Sequence, residues 1–119
     1  MNIEEIRNYC LRKKGVTESF PFGENTLVFK VMSKMFLLAS LDEIPLTVNL
    51  KCDPEKAVEM REIYDAVKPG YHMNKIHWNT ISLDGSVPSG EIFEWINESF
   101  ELVKKGLNKK EKDILARLK

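Results

Sequence analysis

Cysteine is scarce: only Cys10 and Cys52 occur among 119 residues. No CxxC pair is present and neither cysteine lies within a few residues of a histidine, so zinc has no support and no metal is expected. The two thiols read as buried and unpaired, as in a reducing cytosol. Long apolar runs are absent too. The longest, Met35 to Ala39, falls far short of the ~20 residues of a membrane span. The first residues, Met1-Asn2-Ile3-Glu4-Glu5, are acidic where a secretory signal is basic. A cytoplasmic, non-membrane protein is the expectation. Net charge is lacking as well: 18 Lys+Arg stand against 18 Asp+Glu, which excludes a strongly basic nucleic-acid binder. The six glycines are scattered and form no phosphate loop. The serines lack a GxSxG setting, and the adjacent acids Glu4-Glu5 and Asp42-Glu43 have no reason to form a general acid/base dyad. No enzymatic activity and no cofactor are expected.

What is present is a well-patterned globular chain, 43% hydrophobic and 30% charged, with the length of one domain over residues 1–119. Asn2 with Glu5 forms a capping box for a first helix, whose Ile3, Ile6 and Cys10 share a face and which Gly15 ends. Ser19-Phe20-Pro21-Phe22-Gly23 is a rigid aromatic loop. Thr26 to Met32 alternates as a strand, Ser33-Lys34 turns, and Met35 to Ala39 is apolar on both faces and therefore central. A third strand runs from Leu46 to Lys51. Short connections make the three antiparallel. Asp53-Pro54-Glu55 starts a second helix with the stripe Ala57, Met60, Tyr64, Val67, stopped by Pro69-Gly70. Tyr71 to Leu83 reads as extended, with Ile76, Trp78 and Thr80 opposite to His77, Asn79 and Ile81. A third helix from about Pro88 carries Phe93, Ile96, Phe100 and Val103, and Gly106 closes it. Asn108 with Glu111 caps a short last helix bearing Ile114, Leu115 and Leu118. The fold class is α+β, an antiparallel sheet packed with helices.

The chemically richest stretch is His72 to Thr80. In an extended chain His72 and His77 point to opposite faces, so one metal ion could not readily use both. Lys75, His77 and Asn79 share a face suited to a phosphate or a base, with Trp78 packed beneath. Charge by position says more than its sum. Residues 104–119 carry seven basic and two acidic side chains, leaving the first 103 residues with an excess of acid. Further cations fall on the sheet region: Lys30 and Lys34 beside the first hairpin turn, with Lys51, Lys68 and Lys75. Lysines on hairpins can grip a duplex backbone.

Phe20-Pro21-Phe22-Gly23, Lys51-Cys52-Asp53-Pro54-Glu55, Pro69-Gly70-Tyr71-His72-Met73-Asn74-Lys75, His77-Trp78-Asn79-Thr80, Leu83-Asp84-Gly85 and Ser99-Phe100-Glu101-Leu102-Val103 together resemble the MmcQ/YjbR family over nearly the whole chain. Ile76 stands where relatives often carry a second basic residue. The resemblance implies a CyaY-like architecture similar to the double-wing DNA-binding domain of the phage transcription factor MotA. Lys30, Lys34, Lys75, His77 and Asn79 are then the candidate contacts to double-stranded DNA, bound weakly and in a salt-sensitive way. The alternative is a protein- or small-ligand-binding module using the sheet face or the loop Phe20 to Phe22.

Overall fold

A computed structural model describes residues 1–70 and 73–118. Among them the chain forms α1 (Ile3–Leu11), β1 (Val16–Ser19), β2 (Thr26–Val31), β3 (Lys34–Ser40), β4 (Thr47–Lys51), α2 (Pro54–Ile63), β5 (Val67–Pro69), β6 (Trp78–Ser82), α3 (Ser89–Lys105) and α4 (Lys109–Arg117). The strands make one sheet in the order β1-β2-β3-β4-β6-β5, and every neighbouring pair is antiparallel. The expected α+β class is what the chain adopts.

Local chemistry accounts for the elements. The Asn2 and Asn108 side chains accept from the Glu5 and Glu111 amides at 2.9 and 2.8 Å, satisfying donors that a helix start leaves orphaned. Proline stands in the first turn of α2, where its missing N–H costs nothing. α2 ends at Ile63 rather than running to Pro69. Tyr64 is extended and Val67–Pro69 pairs with β6, so the spacing of Tyr64 and Val67 is not helical. Tyr71 to Leu83 is likewise strand only from Trp78 to Ser82. Before it, the Asn74 carbonyl accepts from the His77 and Trp78 amides at 3.1 and 2.9 Å and folds residues 74–77 into a turn.

One face of the sheet carries the core. Leu27, Phe29, Val31, Leu37, Ala39, Val48, Leu50, Val67 and Ile81 pack against Ile6 and Cys10 of α1, Ala57 and Met60 of α2, and the stripe of α3 from Ile92 to Val103. A bulge lets β3 present two consecutive residues inward. Phe29 pairs with Leu37 and Lys30 with Met35, so Phe36 is the extra residue. Its ring meets Phe100 edge-on at 5.3 Å. Ser99, fully buried, joins α3 to the sheet beside it. Its hydroxyl donates to the Phe36 carbonyl at 2.6 Å and accepts from the Lys51 amide at 2.9 Å. Among the described residues the other sheet face bears no helix, and it holds a small apolar cluster of Val28, Leu38 and Trp78, flanked by Met35 and Met73.

α4 folds back on the hairpin side of the molecule. Gly15 takes a left-handed φ of +76°, which favours glycine, and a Cβ there would press on the movable Cδ1 of Leu115 at 2.6 Å. Both cysteines are buried and unpaired. Burial pushes the Cys10 thiol up to about 12 and the Cys52 thiol up to about 11, with the Glu98 carboxylate adding to the latter. Raised values mean that both stay protonated in the folded chain at pH 8, Cys52 being roughly a thousandth thiolate. A disulfide reagent at pH 8 should therefore label both thiols only after denaturant is added. Labelling of the native chain within minutes would contradict this burial.

Candidate nucleic-acid interface

The sheet register decides which lysines act together. Val31 pairs with both Val16 and Lys34, Leu37 with Leu50, and Lys51 with Trp78. The start of β1, the β2–β3 turn, the end of β4 and the start of β6 consequently share one end of the sheet. α1 leads into that end through Gly15, and Ser99 directs the last turn of α3 towards it. Lys14, Lys34, Lys51, Lys75, Lys104 and Lys105 are thus delivered to one end of the molecule. At the opposite end Thr26 pairs with Ser40, Ser40 with Thr47 and Thr47 with Ser82. Its connecting loops carry Glu24, Asp42, Glu43, Asp65 and Asp84. The zero net charge therefore hides an uneven distribution along the strands, with Asp53, Glu55 and Glu111 also lying at the lysine-bearing end. α3 follows it, with Glu91 in its first turn and Lys104 and Lys105 in its last, as the helix macrodipole favours. Lys51 and Lys75 sit at no helix C-terminus, so that dipole does not account for them, whereas the Lys34 ammonium lies beside Gly106, the C-cap of α3.

The β2–β3 turn is held rigidly. Met32 takes a left-handed φ of 55° and its amide donates to the Gly15 carbonyl at 2.9 Å. The Ser33 amide and hydroxyl donate to Glu111 Oε2 at 3.2 and 2.5 Å. These bonds, the hydroxyl first, hold the Glu111 carboxyl below the usual carboxylate range. The turn is centred on Met32-Ser33, one residue earlier than the Ser33-Lys34 expected. Lys34 opens β3 and reaches towards the helices, its Nζ 3.8 Å from where a Cβ at Gly106 would stand.

The other candidates are divided. Lys30, half-buried, lies between inward-facing Phe29 and Val31 and so projects from the open sheet face. Lys75 is exposed, and its carbonyl accepts from Arg61 Nη2 at 2.6 Å, which ties the loop to α2. His77 is half-buried and its carbonyl accepts from the Cys52 amide at 2.7 Å. His72 lies outside the described residues. Asn79 must be withdrawn as a DNA contact. It is fully buried under α2, accepting from Arg61 Nε at 2.7 Å and donating to the Ala57 carbonyl at 3.3 Å. Strand alternation puts it on the core side with Ile81, while Trp78 takes the open face. The polar and apolar sides of this strand are the reverse of the expected arrangement. Lysines thus converge on one end but on more than one face. Lys14 joins them through the Gly15 connection, which no periodicity marks.

A family model described as YjbR matches residues 11–102. An uncharacterized protein of Escherichia coli O157:H7, YbdF, is 38% identical over 109 residues, covering 91% of this chain and 88% of its own. The uncharacterized protein YjbR of Escherichia coli K12 is 31% identical over 118 residues, covering 99% of this chain and 100% of its own. Among solved structures, Deinococcus radiodurans DR2400, with the family domain DUF419, superposes with a TM-score of 0.89 at 40% identity, over 97% of this chain and 88% of that one. A Pseudomonas syringae protein gives 0.74 at 27% identity, over 86% and 98%. The fold, the family model and these relatives agree: the chain belongs to the YjbR family.

Proposed function

We propose that the protein is a non-enzymatic, cytoplasmic domain that binds the backbone of double-stranded DNA through its lysine-bearing end. The observation that carries this reading is the gathering of Lys14, Lys34, Lys51 and Lys75 at one end, where they outnumber the nearby Asp53, Glu55 and Glu111. A local excess of ammonium groups attracts phosphate even where the whole molecule is neutral. The rigid β2–β3 turn gives Lys34 a fixed position, and the MmcQ/YjbR resemblance adds the likeness to a double-wing domain, which concerns fold rather than site. The protonated, buried thiols are unsuited to nucleophilic catalysis, which supports a binding role, and their unpaired state suits a reducing compartment. No base-reading element is implied, so binding is sequence-independent and in the range of roughly 10⁻⁴–10⁻⁶ M.

Fluorescence anisotropy with a labelled duplex tests the proposal. Four phosphate contacts give a slope of about −3.6 in log affinity against log salt, a loss of about a hundredfold between 50 and 200 mM. Replacing Lys34, Lys51 and Lys75 together by glutamine should reduce the slope to about −1. Absence of binding at 50 mM salt with micromolar protein, or a slope unchanged in the triple variant, would end the proposal.

A further inference from the structure

A second group of lysines, which shares Lys14 and Lys104 with the basic end, surrounds a cavity. Between the exit of α1, the C-terminal half of α3 and the inner side of α4 lies a half-open space of about 360 Å³. Phe100, Leu115 and Ala116 supply its apolar lining, and Lys13, Lys14, Lys104 and Lys112 line the rest. Among the described residues no carboxylate forms a salt bridge with any of the four. Lys13 is held in place: its ammonium donates to Asn97 Oδ1 and stands 5.0 Å from the Tyr9 ring centroid and 5.1 Å from that of Phe100. Lys104 approaches the Phe100 ring at 6.0 Å. The same aromatic ring therefore orients two cations above an apolar floor.

We propose that this cavity binds a small amphipathic anion, with a carboxylate or phosphate head among the four lysines and an apolar body against Phe100, Leu115 and Ala116. Helix polarity explains only part of the cluster. Lys13, Lys14 and Lys104 follow or close helices, where carbonyl ends favour cations. Lys112 belongs to the N-terminal half of α4, where the dipole disfavours it, yet it faces the same space. Four like charges around one concavity repel one another, and an anion reverses the sign of that interaction. Phe100, Leu115 and Ala116 give the floor no hydrogen-bonding side chain, so a hydrocarbon body fits it better than a nucleobase. A half-open space of about 360 Å³ is at the small end of ligand sites, which suits a medium-chain carboxylate.

Decanoate, monodecyl phosphate, decanol and inorganic phosphate are the probes, titrated into the ¹⁵N-labelled full chain. Decanoate or monodecyl phosphate should give saturable amide shifts at residues 13–14, 100–104 and 112–116, and the tighter of the two names the head group. Decanol and inorganic phosphate should each bind at least about tenfold more weakly. Ala116→Trp, an exposed substitution that fills the cavity without removing a lysine, should abolish the shifts. Lys104→Glu, which retains the floor, should weaken decanoate about tenfold and serves as the second reading should the tryptophan unsettle α4. Equal affinity for decanol and decanoate, retention of binding in both variants, or no saturable shift at millimolar decanoate would overturn the proposal. None of these outcomes depends on whether the chain binds DNA.

Discussion

Trp78→Ala is expected to lower the folding stability by about 3–5 kcal/mol, a fall in Tm of roughly 10–20 °C for a domain of this size. Trp78 is 8% exposed although it lies on the helix-free face of the sheet. It stays dry by packing on Val28 and Leu38, with Met35 and Met73 alongside, and those neighbours have no helix above them to collapse into the space it leaves. Truncation would wet Val28, now fully buried. The backbone contributions at this position survive the change. The Trp78 amide still donates to the Asn74 carbonyl, and its own carbonyl still accepts from the Gly70 amide at 2.8 Å. The loss is therefore a packing loss, and Trp78→Phe should recover much of it. Thermal and denaturant melts of the two variants measure the effect; a loss below about 1 kcal/mol for alanine would show that this cluster contributes little to the fold.

The second large effect is expected from Ser99→Ala, at about 2–4 kcal/mol, because two buried backbone groups lose their partner at ~1–3 kcal/mol each. Continuing the β3–β4 register beyond Leu37 and Leu50 would set Phe36 opposite Lys51. The bulge at Phe36 interrupts that ladder, and the Ser99 hydroxyl stands in the gap, taking the Lys51 amide and giving to the Phe36 carbonyl. Removing one oxygen undoes both bonds, whereas the side-chain volume changes little. Hydrogen exchange supplies the specific readout. The Lys51 amide should lose protection in the variant by more than its neighbours Asn49 and Leu50 do. Unchanged protection at Lys51 would mean that the strand closes on itself without the serine.

Much of this architecture was legible in the sequence because local signals coincided. Asn2 and Asn108 each stand three residues before a glutamate, and both cap their helices. The unbroken apolar run in β3 marks the strand flanked by β2 and β4. The misses have physical causes. β1 turns Glu18 towards the helix side, where the pattern expects an apolar residue. Arg7 of α1 makes that position tolerable by donating Nε to both carboxylate oxygens at 2.8 and 3.0 Å, a pairing across elements that no window reveals. β5 has only three residues and hides behind a helical spacing shared with Tyr64. Asn79 lies among polar neighbours, and only its parity with Ile81 points inward. Its satisfaction by Arg61 and Ala57 is a tertiary fact. The basic end was half visible: residues 104–119 declare their excess, but the joining of Lys14, Lys51 and Lys75 to Lys34 needs the register of the sheet.

The sheet's two margins bear on how this protein meets other chains. β1 offers four residues and β5 three, the last being Pro69, which has no amide hydrogen to share. A peptide laid along either side would find too short a template to hold it, and on one side an interrupted one. Strand-by-strand addition at either margin is thereby disfavoured.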